Sequence, residues 1–267
     1  MSAAGVVGAG GGGSGGAVAI IPARMASARF PGKVLADQTG KPLVQHVVEA
    51  AARARSVSSV AVATDDARVA EALRPFGTRV VMTGEHPNGT SRLAEAARAM
   101  GLGAEAVVVN VQGDEPEIEP GLIDAAVAAL ERTGAPMATV AMPLGPEEEP
   151  GNPNIVKVVC ALDGTAMYFS RALIPFDRDG RGGPDATPLR HVGLYVYRRS
   201  FLDTYTTLEP TPAERCESLE QLRVLQHGYR IAVAVCERPE RGAGGGIDTP
   251  EQYEAFVRRW LASQGRT

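Results

Sequence analysis

Three cationic side chains lie close together in a loop that follows the first apolar segment of the chain. Arg24, Arg29 and Lys33 fall within ten residues, directly after an apolar run at 17–21. Small residues in such a loop let a ligand approach the backbone, and guanidinium and ammonium groups bind phosphate oxygens. Each cation alone would be an ordinary solvated loop charge. Together they predict a binding site for a polyphosphate.

Two single aspartates follow later segments of the chain. Asp114 comes directly after the apolar run at 107–111, and Asp248 follows three glycines at 244–246. Single carboxylates completed by phosphate oxygens are ligands that Mg²⁺ commonly takes in proteins. Asp114 could instead cap a turn, and Asp248 could be the N-cap of the last predicted helix. Taken alone, each aspartate leaves these interpretations open.

The apolar pattern predicts the elements that must hold these residues. Short apolar runs alternate with longer amphipathic segments, which favours a three-layer α/β fold with a mostly parallel sheet. Ligands bind beyond the carboxyl ends of the strands in such sheets, so the cationic loop and Asp114 should share one edge. Strands are predicted at 18–21, 57–64, 79–82, 107–111, 137–142, 156–161, 166–170, 192–197 and 231–236, and helices at 42–55, 67–74, 90–100, 120–132, 213–227 and 250–262.

The chain is predicted to form one domain over 17–267, preceded by a flexible glycine-rich tail at 1–16. The letters at 8–13 match the dinucleotide fingerprint G-x-G-x-x-G, but the strand follows these glycines instead of preceding them, so we discard that motif. From roughly 143 to 212 the alternation loosens into strands with proline-rich connections, which predicts a smaller strand-rich insertion. The helix at 213–227 carries a stripe predicted to face the core: Cys216, Leu219, Leu222 and Leu225.

Composition excludes several classes of protein. The formal net charge is −4 and the basic residues are dispersed, so no nucleic-acid partner is expected. No apolar run approaches the roughly 20 residues that span a bilayer, so no membrane association is expected. The three cysteines lack metal-ligand spacing and predict a protein of the reducing cytoplasm without disulfides.

An ordered series of motifs resembles one enzyme family. IIPARMASARFPGK, ATDD, NGTSRLAEA, VVNVQGDEP, NPNIVKVV, YFSRALIPFDRD, RHVGLYVYR, SLEQLRVL and GIDTPE follow one another from residue 20 to 251. The first motif alone indicates a sugar nucleotidyltransferase. The later ones are more specific and resemble those of the 3-deoxy-manno-octulosonate (Kdo) cytidylyltransferases, or CMP-Kdo synthetases.

The resemblance implies a fold and a reaction. The fold would be a Rossmann-like nucleotidyltransferase core whose insertion at 143–212 serves sugar binding and dimerisation. The reaction would transfer CMP from CTP to Kdo with release of pyrophosphate, using Mg²⁺ as cofactor. The enzyme would be a cytoplasmic homodimer that contributes to lipopolysaccharide biosynthesis.

The resemblance also implies roles for individual residues. Arg24 and Lys33 would bind the CTP phosphates, and Asp114 and Asp248 would bind the metal; these four are the predicted catalytic residues. Gln112 would lie between nucleotide and sugar. The remaining predicted residues are Thr90, Ser91 and Arg92 for the nucleotide, and Arg171, His191, Tyr195, Glu220 and Gln221 for the sugar.

Departures from the family pattern lie toward the sugar side. Ser91 stands where an acidic residue is expected, Val196 replaces a small residue, and the loop at 177–188 differs in length and composition. Two alternatives therefore stay open. The chain could be a cytidylyltransferase for another acidic sugar, of the amino-Kdo or sialic acid type, or a non-catalytic nucleotide-sugar-binding protein.

Overall fold

The computed structural model describes residues 15–27, 29–183, 187–238 and 245–265; most of the predicted tail lies outside these ranges. The described part is an α/β fold. Its strands are β1 (Ala17–Pro22), β2 (Val57–Thr64), β3 (Arg79–Met82), β4 (Val107–Asn110), β5 (Met137–Pro143), β6 (Lys157–Cys160), β7 (Ala166–Ser170), β8 (Leu189–Arg198) and β9 (Ile231–Val235). Its α-helices are α1 (Leu43–Ala51), α2 (Ala67–Leu73), α3 (Gly89–Ala99), α4 (Pro120–Thr133), α5 (Arg199–Tyr205), α6 (Pro212–Glu217), α7 (Gln221–Gln226) and α8 (Pro250–Ser263).

The strands form one mixed sheet whose main path runs β3-β2-β1-β4-β8-β5-β9. Strands β1 to β4 pair in parallel, and β5 pairs in parallel with β9. Strand β8 is antiparallel to both of its neighbours in this path, β4 and β5. The carboxyl ends of β1, β4 and β9 therefore meet at one edge of the sheet, as predicted.

Apolar side chains cover both faces of the sheet. One core joins the sheet to α1, α2 and α4, and a second joins its other face to α3, α5 and α7. Strand β4 is buried at every position, which explains why its first three residues are all valine, without alternation. A smaller cluster packs α8 against the start of α1. The predicted three-layer α/β architecture is confirmed.

The segment predicted as an insertion is less separate than the sequence pattern indicated. Strand β8, which lies within 143–212, occupies the middle of the main sheet between β4 and β5. Only β6 and β7 lie off the main path, as a hairpin whose first strand pairs with β8. The sequence predicts this strand but not its place in the sheet, because its pairing partners lie far away in the chain.

The helix predicted over 213–227 is wrong as a single element. The chain forms two short helices, α6 and α7, because Ser218 takes a left-handed conformation with φ 52° between them. Cys216, predicted to face the core, is exposed, whereas Leu219 and Leu222 are buried. The break turns the segment after Ser218 toward the cavity described below.

Helix α5 follows β8 without a loop and was not predicted. Seven residues give too short a window for a helical repeat to stand out. Elsewhere the elements agree with the predicted ones, and β2, β3 and β7 match their predicted bounds. Among the described helices, none combines the length and the apolar character needed to cross a membrane.

Candidate active site

A cavity of about 1030 Å³ lies at the edge where the parallel strands end. The loops after β1 and β4, the start of α3, strand β8 and the segment between α6 and α7 all contribute to its wall. We divide that wall into two parts. The charged part comprises Arg24, Arg29, Lys33, Asp114 and Asp248, and the polar part comprises Gly193, Tyr195, Ser218, Glu220 and Gln221.

The loop after β1 is folded back on itself and delivers Lys33 into the cavity wall. The amide of Gly32 donates to the carbonyl of Met25 at 3.0 Å, which closes the loop. Gly32 has φ 72°, a left-handed conformation that glycine adopts without steric cost. A short 3-10 turn begins directly after it at Lys33, and the Lys33 side chain is nearly buried. The left-handed conformation of Gly32 therefore determines where the Lys33 side chain enters the cavity wall.

Lys33 joins the two predicted metal aspartates. Its Nζ donates to Asp114 Oδ2 at 2.6 Å, to Asp248 Oδ1 at 3.0 Å and to the carbonyl of Ile247 at 2.7 Å. Arg29 forms a second ion pair with Asp248, with Nη2 2.7 Å from Oδ2. Three parts of the chain that are distant in sequence thus meet at one cluster of alternating charge.

Close packing of β1 and β4 explains why a glycine precedes Asp114. A Cβ on Gly113 would lie 2.7 Å from the carbonyl oxygen of Pro22, which is closer than real side chains allow. The glycine lets the end of β4 pass against the end of β1. As a result Asp114 lies beside the cationic loop, and Arg24 lines the same cavity as an exposed side chain.

The paired carboxylates fit a divalent cation. Asp114 and Asp248 converge on a single positively charged atom, so their oxygens surround a position that already holds a cation. No group of three or more His, Cys, Asp or Glu side chains in the described ranges could hold a metal. An ion here would therefore complete its coordination with oxygens from water or from a bound phosphate, as Mg²⁺ usually does.

The neighbouring carboxyl group has a different character. Burial, together with the nearby charge of Asp114, raises the pKa of Glu115 to about 8. Burial therefore favours the neutral form of Glu115, which does not line the cavity.

Thr90, Ser91 and Arg92, which were predicted to bind the nucleotide, all lie in the first turns of α3 but differ in whether they line the cavity. Thr90 and Arg92 line the cavity. The Arg92 guanidinium is also held from behind, by Asp65 at 2.8 Å and by Thr83 at 2.8 Å. The hydroxyl of Ser91 is not part of the wall, since it donates to the carbonyl of Asn88 within the first helical turn.

Four of the predicted residues meet around the polar part of the wall. Tyr195, Gln112, Glu220 and Gln221 all line the cavity. The Gln112 amide donates to the carbonyl of Gly193 at 3.5 Å. Glu220 accepts hydrogen bonds from the hydroxyls of Tyr205 at 3.0 Å and Thr90 at 3.5 Å.

The structure does not bring Arg171 and His191 into the cavity wall. The Arg171 guanidinium donates to the carbonyls of Pro153, Glu217 and Ser218, so it supports the segment before α7 from outside. His191 Nε2 lies 2.9 Å from the hydroxyl of Thr139 inside the sheet. Burial, assisted by Arg190, lowers the pKa of His191 to about 3, which keeps the ring neutral.

Asn110 and His86 are among the cavity residues that sequence reasoning missed. Asn110 lies at the end of β4, and His86 precedes α3. Nε2 of His86 is 2.5 Å from Glu95, and Nδ1 is 3.1 Å from Ser91. The sequence gives no periodic or charge signal for either residue, because one polar residue inside an apolar run and one loop histidine are both common in proteins without such a site.

Comparison with known protein families agrees with this site. A model of the cytidylyltransferase family matches residues 18–231. A 3-deoxy-manno-octulosonate cytidylyltransferase of Syntrophobacter fumaroxidans is 49% identical over 90% of this chain and 95% of its own length. The corresponding protein of Leptothrix cholodnii is 50% identical over 90% of both chains.

Solved structures give the same picture. A CMP:2-keto-3-deoxy-manno-octonic acid synthetase complexed with CTP superposes with a TM-score of 0.84 at 38% identity, covering 93% of this chain and 99% of that one. A cytidylyltransferase from Leptospira borgpetersenii superposes with a TM-score of 0.53 at 16% identity, which shows a shared fold alone. The resemblance predicted from the motifs is confirmed.

Proposed function

Because the chain belongs to the 3-deoxy-manno-octulosonate cytidylyltransferase family, we propose that it transfers CMP from CTP to the anomeric hydroxyl of Kdo and releases pyrophosphate. The observation that carries this proposal is the contact of Lys33 with both Asp114 and Asp248, in a cavity that Arg24 also lines. Cationic side chains that can bind a triphosphate therefore lie beside carboxylates that can bind a divalent ion.

In the proposed reaction the sugar oxygen attacks the α-phosphorus in line with the departing pyrophosphate. A bond forms between the anomeric oxygen and the α-phosphorus, the bond from that phosphorus to the bridging oxygen breaks, and the sugar hydroxyl releases its proton to solvent. Arg24 and Lys33 bind the phosphates and stabilise the negative charge that collects on the leaving group. No covalent intermediate with the protein is required, so positioning and electrostatics supply the acceleration.

We assign Asp114 and Asp248 as the residues that hold Mg²⁺. When bound, the ion would supply Lewis-acid stabilisation of the phosphate and lower the pKa of the attacking hydroxyl. Lys33 and Arg29 balance the charge of these carboxylates, and both side chains line the cavity in which we place the CTP phosphates.

The polar part of the wall is suited to the sugar. It offers a phenol, an amide and a carboxylate from Tyr195, Gln221 and Glu220, which are partners for a molecule rich in hydroxyl groups. We place Kdo there, next to Gln112. In this arrangement Arg171 and His191 position the wall, since their polar groups are bound within the protein.

A panel of substrates tests the proposed function. All four nucleoside triphosphates are combined with Kdo, amino-Kdo and a sialic acid in the presence of Mg²⁺, and pyrophosphate release is measured. We expect release with CTP and Kdo at a rate at least about 100-fold above that of any other triphosphate, since a base-specific pocket rejects wrong partners strongly. Fastest turnover with another acidic sugar would reassign the acceptor. Thermal stabilisation by CTP without turnover on any sugar would support a binding protein instead.

We also propose that the protein is a homodimer that pairs through the β6–β7 hairpin. Large apolar side chains are exposed on this hairpin and on the loop after it, including Met167 with 63% and Phe176 with 80% exposure. Exposed apolar side chains of this size are enriched at protein interfaces. The hairpin falls within the segment 143–212, which the family resemblance associates with dimerisation.

Light scattering coupled to size-exclusion chromatography measures the mass directly. We expect twice the chain mass for the wild type and a single chain mass for a Met167→Asp, Phe176→Asp double variant. Phe76→Asp is the matched control, because Phe76 is also exposed but lies after α2, away from the hairpin. A monomeric wild type, or a double variant that stays dimeric, would contradict the assignment.

We further propose that the enzyme acts in the cytoplasm. Cys160, Cys216 and Cys236 are all free thiols, which agrees with a reducing compartment. Cysteine accessibility to a membrane-permeable but not to an impermeable thiol reagent in intact cells would test this assignment.

A further inference from the structure

A buried polar atom without a partner lies at the cavity, on strand β4. Asn110 is only 2% exposed, and its side-chain Oδ1 accepts no hydrogen bond. Two other buried side-chain atoms in the described ranges share this property, on Arg199 and Thr211, but neither of those residues lines the cavity. Leaving a buried acceptor unpaired costs free energy, so such an atom in a ligand cavity points to a ligand donor.

The position of Asn110 in the sheet fixes which way the amide faces. It is the last residue of β4, paired with Ile20 of β1 and with Tyr195 of β8. Alternation along the strand puts it on the same face as Val108, which belongs to the core beneath α3. This is the face from which Tyr195 and Tyr197 also project into that core.

The amide nitrogen of Asn110 already has a role. The Tyr197 hydroxyl lies within hydrogen-bonding reach of the side chains of Asn110 and Thr90. Since Oδ1 has no partner, the bond to Tyr197 comes from the amide nitrogen. The carbonyl oxygen is thereby held in a fixed direction and remains available as an acceptor.

The surroundings of Asn110 favour a neutral hydroxyl as its partner. The neighbouring strand carries Tyr195, and Thr90 connects Asn110 through Tyr197 to the carboxylate of Glu220. Of these residues, Tyr195 and Glu220 belong to the polar part of the wall, whereas the cations that suit phosphates follow β1. A sugar hydroxyl can donate to an amide oxygen, and a phosphate oxygen cannot.

We propose that Asn110 Oδ1 accepts a hydrogen bond from one hydroxyl group of the bound sugar and thereby selects acceptors that carry it. The inference rests on the proposed function and deepens it, because it names a residue that sets sugar specificity. A site built around a buried acceptor rejects an analogue without the donor much more strongly than an apolar pocket rejects a missing methylene.

The first test separates substrate binding from support of the sheet. Asn110→Ala removes both the acceptor and the contact with Tyr197, whereas Tyr197→Phe removes only that contact. We expect Asn110→Ala to raise the KM for Kdo by about 10-fold while the KM for CTP changes less than about twofold. Tyr197→Phe should leave the KM for Kdo within about threefold of the wild-type value. Equal effects of the two variants, or a rise in the KM for CTP instead, would overturn the proposal.

A second test compares kcat/KM for different sugars with the same protein. The fraction of the variant that folds correctly then cancels from each comparison. Kdo analogues that each lack one hydroxyl are assayed with the wild type and with Asn110→Ala. With the wild type we expect the kcat/KM for one analogue to be about 10-fold or more below that for Kdo. With Asn110→Ala the kcat/KM values for that analogue and for Kdo should be nearly equal. If every analogue is penalised equally in both proteins, Asn110 does not bind the sugar.

The two proposals fail in distinguishable ways. If the wild type does not convert CTP and Kdo at all, both the proposed function and the role of Asn110 in binding Kdo are wrong. If the wild type is active and the variant shows neither the KM change nor the loss of hydroxyl discrimination, only the role of Asn110 is wrong.

Discussion

Asp114→Asn should lower kcat for CMP-Kdo formation by at least about 100-fold, as expected when one charged group that stabilises a transition state is removed. The substitution keeps the shape of the side chain but removes the negative charge that Lys33 now contacts at 2.6 Å. The fold should persist, because Lys33 keeps its bonds to Asp248 and to the carbonyl of Ile247. Initial rates at saturating CTP and Kdo, together with circular dichroism of the purified variant, measure both expectations.

Asp203→Asn is the matched control for this variant. Asp203 makes ion pairs with Arg98 and Arg199 on the surface of α5, outside the cavity. Ion pairs of this kind contribute at most about 1 kcal/mol, so the control should keep wild-type kcat. Near-normal turnover of Asp114→Asn would remove the metal assignment from this residue, while loss of its circular dichroism signal would show a structural role instead.

Lys33→Met should abolish most of the activity and increase the stabilisation of the free protein by Mg²⁺. Without the ammonium, the carboxylates of Asp114 and Asp248 face each other without the cation that now joins them. We expect a loss of about 1–3 kcal/mol in the free energy of unfolding, since partly buried charges lose a partner. The kcat should fall by about 100-fold or more, because the leaving pyrophosphate loses a cation.

The metal response provides a readout that does not depend on turnover. In the wild type Mg²⁺ must displace Lys33 from the two carboxylates, whereas in Lys33→Met it meets no competing cation. Adding Mg²⁺ without nucleotide should therefore raise the melting temperature of the variant by several degrees more than that of the wild type. Lys41→Met is the control, because Lys41 pairs with the single carboxylate of Glu49 on α1. If Mg²⁺ stabilises all three proteins equally, Asp114 and Asp248 do not form the site.

The charged part of the site was predictable because its signals are local. A proline, two arginines and a lysine within one loop indicate phosphate binding at the level of composition, and parallel strands bring their carboxyl ends together by topology. From these two facts follows the shared edge for Arg24, Lys33 and Asp114. The contact of Lys33 with Asp248 spans 215 residues of chain and could be obtained only from the fold.

The features that sequence reasoning missed depend on contacts across the sheet. The place of β8 between β4 and β5 is set by pairing with two distant strands, and the predicted insertion was too large for that reason. Ser218 takes a conformation that favours glycine, so no turn residue marked the break that brings Glu220 to the cavity. The role of Asn110 can be inferred only from the structure, which shows that its buried Oδ1 lacks a hydrogen-bond partner.

The central claim is that the cavity transfers CMP as a unit from CTP to Kdo. Incubation with Kdo, Mg²⁺ and CTP carrying ³²P at the α-phosphorus tests it directly, with CTP labelled at the γ-phosphorus as the parallel sample. We expect the α-label to appear in a sugar nucleotide that depends on Kdo, and the γ-label to appear only in pyrophosphate. Label that stays in CTP, or that is released as CMP without joining the sugar, would contradict the proposed function.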